Sequence, residues 1–183
     1  GRIDGSSRLS RTNKYAFFAS IALAWRMKEE NFLKDIDSID NLKLRLGYGQ
    51  TGNSSISPYE TLGSLSRTAY ATDDVAVYGY SPNLLYNPDL KWEKTGQYNI
   101  GLDFGFFGGR ISGTIDAYRQ NTTDLLLERQ LPTASGFGRI TQNIGQTRNT
   151  GLEIGLNTIN VDEKNFSWTT DWMFYTNKEE IVS

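Results

Sequence analysis

The sequence predicts an all-β fold: about six antiparallel strands from the wall of a transmembrane β-barrel, too few to close a ring by themselves. Three observations predict it. Apolar and polar residues alternate with period two over long segments, short and long connections alternate along the chain, and aromatic residues gather near strand ends.

The first strand, near residues 14–27, places Tyr15, Phe17, Ala19, Ile21, Leu23, Trp25 and Met27 on one face, with Phe18, Ala22 and Ala24 blurring the other. A second, near 41–50, sets Leu42, Leu44, Leu46 and Tyr48 against Lys43, Arg45, Gly47 and Gly49. The third, near 92–107, is the cleanest: Tyr98, Ile100, Leu102, Phe104 and Phe106 alternate with Gln97, Asn99, Gly101, Asp103 and Gly105. Gly108-Gly109 then suits a tight hairpin turn that needs positive φ. Such a turn pairs Phe106 with Ile111, Leu102 with Ile115 and Ile100 with Ala117. The apolar set must then move from even to odd positions in the fourth strand, near 110–122, and it does. The fifth strand, near 147–158, alternates Leu152, Ile154 and Leu156 with Gly151, Glu153 and Gly155. The sixth, near 166–177, carries Phe166, Trp168, Trp172 and Phe174 on one phase.

Between these strands, Gly108-Gly109 and Ile159–Asn165 are short connections, and Lys28–Asp40 is moderate, with a helical turn near Glu30–Leu33. Residues 51–91 and 123–146 read as long loops rich in Ser, Asn, Pro, Gly and Tyr. Outer-membrane barrels have this asymmetry, with short turns inside and long loops outside. Several strands exceed the about 9–11 residues that span a bilayer, whereas soluble strands usually run about 5–6. Trp92 and Phe106, Tyr15 and Trp25, and Phe166, Trp168 and Phe174 sit where interfacial girdles would fall. An open sheet edge in lipid leaves backbone groups unpaired, so the chain is expected to be part of a longer one, lacking neighbouring strands at both ends.

Composition narrows the chemistry. The 183 residues contain neither Cys nor His, which removes disulfides, thiolate metal sites and the usual general base. A net charge of −2 offers no basic footprint for nucleic acid. No apolar run approaches the roughly 20 residues of a spanning helix.

Gly47-Tyr48-Gly49-Gln50-Thr51-Gly52, with Asp73 downstream, matches a dinucleotide fingerprint. Asn53–Pro58 follows with no helical period, so no helix N-terminus meets a pyrophosphate. Asp35, Asp37 and Asp40, and Asp73-Asp74, lie in polar connections without the spacing of a Ca²⁺ loop and read as solvated charge. Sequons at Asn53, Asn121 and Asn165 are short enough to arise by chance. Tyr59, Tyr70, Tyr78, Tyr80 and Tyr86 suit stacking on sugar or peptide ligands and equally suit loop packing. The sequence nominates no catalytic, cofactor-binding or metal-ligating residue and predicts no enzyme; it does not identify the substrate-binding residues.

Several segments together resemble the SusC/RagA group of TonB-dependent outer-membrane transporters. They are Asp4–Arg8, Leu42–Arg45 with Gly47–Asn53, Asn87–Thr95 running on to Asn99–Phe104, Thr122–Leu126, and Asn143–Gly145 with Arg148–Glu153. These cover nearly the whole chain, in the family's order and spacing. One departure is Phe17-Phe18-Ala19-Ser20, where the family often has Pro before the Ser.

The resemblance implies a barrel of about 22 strands, with this chain in its C-terminal half and a plug and a TonB-contacting segment elsewhere. It also implies a bacterial outer-membrane location, a SusD-like surface lipoprotein as partner, and import of glycans or peptides energised through TonB. A soluble β-sandwich serving as a carbohydrate-binding or adhesion module, and a passive outer-membrane porin, are the alternatives.

On the barrel reading, Asp103, Asp116, Glu153 and Asp171 face the lumen while Leu102, Phe104, Ile115 and Ile154 face lipid. Arg at Leu102 is then expected to be costly and Asp103→Asn cheap.

Overall fold

The computed structural model describes residues 1–182. Twelve strands are present among them. In chain order they are β1 (Arg2–Gly5), β2 (Tyr15–Phe18), β3 (Ser20–Arg26), β4 (Ile39–Asn53), β5 (Ser64–Thr72) and β6 (Val75–Leu85). The second half holds β7 (Glu93–Phe106), β8 (Ile111–Thr123), β9 (Leu126–Gln130), β10 (Arg139–Asn143), β11 (Thr147–Glu163) and β12 (Phe166–Ile181).

Six of these form one antiparallel sheet in the order β12-β11-β8-β7-β4-β3. The register carries the period-two pattern straight across it. Phe174, Ile154, Ile115, Leu102, Leu44 and Trp25 are successive cross-strand partners, one apolar row from edge to edge. The adjoining row on the other face runs Tyr175, Glu153, Asp116, Gly101, Arg45 and Ala24. Among the described residues no second layer covers the apolar face: Ile21, Leu23, Leu46, Ile100 and Trp172 are all exposed. A self-contained sandwich would bury those side chains between two sheets, and the described residues do not form one.

The turn chemistry sets the phase. Phe106 pairs with Ile111, and the chain reverses through Gly108 (φ 66°) and Gly109 (φ 79°), with the Arg110 amide donating to the Phe107 carbonyl at 3.4 Å. Both central residues need the left-handed region that glycine occupies freely.

A different glycine sets strand spacing. A Cβ on Gly113 would lie 2.2 Å from the Gly155 carbonyl oxygen on β11 and 2.7 Å from the Phe104 ring. Backbone cannot step aside as a side-chain tip can, so Gly113→Ala should destabilise the sheet by about 1–3 kcal/mol. Urea unfolding of the full-length barrel in lipid vesicles measures this, and an unchanged midpoint would contradict the close approach.

Five boundaries differ from the sequence reading, the simplest being β12, which runs on to Ile181 rather than ending near residue 177. Residues 14–27 are two strands interrupted at Ala19; β2 pairs with β1 and β3 with β4. The break turns Phe18, 2% exposed, into a buried cluster, which explains why it blurred the alternation. Next, β4 runs on to Asn53, so the glycine-rich Gly47–Gly52 stretch is strand throughout, paired to β7. On β11 a bulge between Ile159 and Val161 carries the strand through to Glu163, leaving a turn at residues 164–165. Finally, residues 51–91 and 123–146 are not simple loops: they hold β5, β6, β9 and β10, which form a second sheet.

The 28–40 connection is tied by one lysine. Lys28 Nζ donates to the carbonyls of Leu33 (3.2 Å), Lys34 (3.0 Å) and Ile36 (2.8 Å), gathering the bonds that a turn end leaves open. A 3-10 turn forms at Met27–Glu29, and the Glu30 carbonyl accepts from Leu33 and Lys34 just beyond it.

Candidate functional site

The polar face of the main sheet is organised around Arg45. From β4 its guanidinium donates to Asp103 on β7 at 2.9 Å and to both carboxylate oxygens of Asp116 on β8 at 2.9 Å. Lys43 adds a longer contact to Asp103 at 3.5 Å. Reaching Asp116 means crossing the intervening strand, and Gly101 leaves the path clear. A Cβ there would sit 2.4 Å from Asp116 Oδ1 and 2.7 Å from Arg45 Cζ. One cation is thus shared by carboxylates on two neighbouring strands, a charge-assisted brace across the wall. Glu153, cross-strand from Asp116, has no ion-pair partner among the described residues. Asp171 accepts from Asn157 on the same face.

That geometry revises one expectation. Asp103→Asn weakens a brace rather than removing an idle charge, and should cost about 1 kcal/mol because the groups remain partly exposed. Glu153→Gln, by contrast, should stay within about 0.5 kcal/mol of the parent. Equal losses for the two in denaturant titrations would show that the Arg45 brace carries no weight.

At the long-connection end of the sheet, the two sequence-remote connections are fastened together. Strands β6 and β10 pair in parallel, Arg139 with Leu84 and Ile140 with Leu85, in a sheet of order β5-β6-β10-β9. Around this joint Asn87 donates to the Thr141 carbonyl at 2.8 Å, Asn143 exchanges bonds with the Lys91 backbone at 2.9 and 3.0 Å, and Thr141 bonds Glu60. Lys91 pairs with Asp124 at 2.9 Å. Beneath lies a cluster of Leu9, Phe18, Ile56, Leu90 and Trp92, with the Phe18 and Trp92 rings edge to face at 5.6 Å.

Trp92 therefore does not belong to an interfacial girdle as its position in the sequence suggests. It is 7% exposed, and its Nε1 donates to the Lys14 carbonyl at 3.3 Å. Phe106, Trp25, Trp168 and Phe174 remain on the uncovered face.

The loop tyrosines fall into two groups. Tyr70, Tyr78 and Tyr80 project from the β5–β6 hairpin, with the Arg67 guanidinium 3.5 Å from the Tyr78 ring centre. Tyr59 (φ 65°) and Tyr86 flank its base, and all five are exposed. Asp73 (φ 51°) and Asp74 (φ 59°) make the hairpin tip, so Asp73 faces solvent far from any nucleotide cradle. Asp35 and Asp37 are exposed in their turn, while Asp40 accepts the Gly109 amide at 2.8 Å.

An open wall with one apolar and one charged face, crowned at one end by structured loops, is matched by a family model. The model described as TonB dependent receptor-like, beta-barrel covers residues 1–181. The chain belongs to that family. It is 45% identical over 99% of its length to TonB-dependent receptor P3 of Formosa agariphila, and 42% identical over 99% to TonB-dependent receptor SusC of Bacteroides thetaiotaomicron. Each alignment takes in 18% of the relative, so the chain spans less than a fifth of the curated relatives it matches. Among solved structures, that of the RagAB peptide transporter superposes with a TM-score of 0.83 at 33% identity, covering 98% of this chain and 19% of the other.

Membership in the TonB-dependent receptor barrel family places the chain in the bacterial outer membrane. In outer-membrane barrels the apolar face of such a wall meets lipid and the polar face lines the lumen. On β7 the apolar set runs from Phe106 to Tyr98, about 27 Å of strand at roughly 3.4 Å per residue, enough for a tilted crossing.

Proposed function

We propose that this chain supplies wall strands and two outside loops of a TonB-dependent transporter that imports bulky nutrients, glycans or peptides, together with a SusD-like surface lipoprotein. Likeness to SusC and to the RagAB peptide transporter along almost the whole chain carries this reading. The loops support it physically. They are joined through β6 and β10 into one platform that presents Tyr70, Tyr78 and Tyr80 outward, side chains that give large contact area at small entropic cost. The plug and the TonB-contacting segment belong to parts of the full receptor outside this chain.

A passive porin is the rival within the same architecture. Uptake of a labelled oligosaccharide or peptide by cells expressing the full-length receptor should stop when a protonophore collapses the energy supply. Uptake that continues unchanged points to passive diffusion. Purification of the receptor from outer membranes should bring down a surface lipoprotein in near-equal amount, and a receptor recovered alone would overturn the partner.

A further inference from the structure

The lipid-facing surface is free of charge from the row of Phe106 and Ile111 up to the row of Ile100 and Ala117. At the next row it changes abruptly. Arg119 on β8 is cross-strand from Tyr98 on one side and from Thr150 on the other, and Thr150 in turn faces Lys178 on β12. One row further out, Arg148 on β11 lies between Asn121 and Glu180. Three cations from three adjacent strands therefore share the outward phase directly above the apolar band, with a single carboxylate among them.

Glu180 is ion-paired to Lys178, and Arg148 is steadied by the Asn121 side chain at 3.3 Å. Neither arginine makes an ion pair among the described residues, although Glu180, already paired to Lys178, lies cross-strand from Arg148. With strands roughly 4.8 Å apart, the arginine and lysine side chains reach a common point between β8 and β12. Tyr98 and Tyr48 lie in the same row as Arg119, the depth at which amphipathic rings mark the headgroup region.

We infer that Arg119, Arg148 and Lys178 form an outward-facing docking site for the phosphorylated headgroup of an outer-leaflet glycolipid. The position selects the partner. A soluble anion has no reason to meet cations on the membrane side of a barrel, whereas a lipid phosphate at this depth is held there by its own acyl chains. Arginine's planar donor fork matches phosphate oxygens two at a time, and the lysine contributes a mobile point charge. Without an anion, three neighbouring cations with one carboxylate repel one another; with it they bridge β8, β11 and β12 through the bound group.

The inference rests on the orientation proposed above, with the long connections outside. Full-length receptor purified from outer membranes is exchanged into mild detergent and its retained lipid measured by native mass spectrometry. Parent protein should keep a phosphorylated glycolipid, and Arg119→Gln, Arg148→Gln and Lys178→Gln should each lower retention about fivefold, as charges at a membrane surface do. Heat-modifiable gel migration reports that each single variant is folded before its lipid is measured. Arg110→Gln, at the short-turn end, should keep the parent level. Undiminished retention in all three single variants, or equal retention of the enzymatically dephosphorylated glycolipid, overturns the site. Loss in Arg110→Gln with the other three unaffected overturns it by showing the barrel inverted. Retention is read without uptake, so a failed transport reading leaves this result interpretable.

Discussion

Trp92→Ala should remove about 3–5 kcal/mol from the loop platform and leave both outside loops open to protease while the barrel wall stays folded. The indole is buried in the small cluster that joins the β1–β2 segment, the 51–91 connection and the start of β7. Phe18 packs edge-on against it, and Leu90 beside it is 0% exposed, so truncation leaves a void that these neighbours cannot fill without breaking backbone bonds. Trp92→Phe should recover most of the loss, missing only the hydrogen bond to Lys14, worth about 1 kcal/mol. Limited proteolysis of the full-length receptor in vesicles, with fragments mapped to residues 51–91 and 123–146, decides the matter. Loops as resistant as the parent's would show that the cluster does not hold the platform.

A charge placed at the middle of the apolar band gives the second large effect. Leu102 is midway between Tyr98 and Phe106 on β7, in the row that runs from Phe174 to Trp25. Leu102→Arg should therefore cost about 2–4 kcal/mol when the full barrel is unfolded from bilayers, the range for a cation at mid-membrane. Glu153→Gln, one row across on the polar face, is the matched control. A Leu102→Arg loss no larger than that of the control would mean that the two faces have been assigned the wrong way round. Moving the same arginine outward along the phase to position 98 should reduce the penalty steadily, because the side chain then reaches the headgroups.

The wall could be read directly from the chain because its signal is local. Each strand repeats the same two-faced pattern, and the Gly108-Gly109 turn converts one strand's phase into the next, so the pairing of Phe106 with Ile111 follows from turn length alone. The loop sheet gave no such signal. Asp73 and Asp74 occupy the left-handed positions at the β5–β6 tip where glycine would have advertised a turn. The parallel joint between β6 and β10 brings together residues far apart in sequence through two residue pairs, Arg139 with Leu84 and Ile140 with Leu85. No periodicity encodes a contact of that kind.

The polar face was half legible. Alternation placed Asp103, Asp116, Glu153 and Asp171 on one side, but only the register shows Arg45 passing over Gly101 to engage two of them. Trp92 was misread for a related reason. Its place at a strand end suits an interfacial ring, and burial by the distant Phe18 and Leu9 is visible only in three dimensions.

Because residues 51–91 and 123–146 share one set of strand bonds, most of their freedom is surrendered when the chain folds rather than when something lands on them. Two separate flexible tethers would have to be immobilised afresh at every encounter, each exacting an entropic toll from the affinity. Here the β6–β10 seam sets the plate in shape in advance, with Tyr80 held on a strand paired to β5 on one side and to β10 on the other.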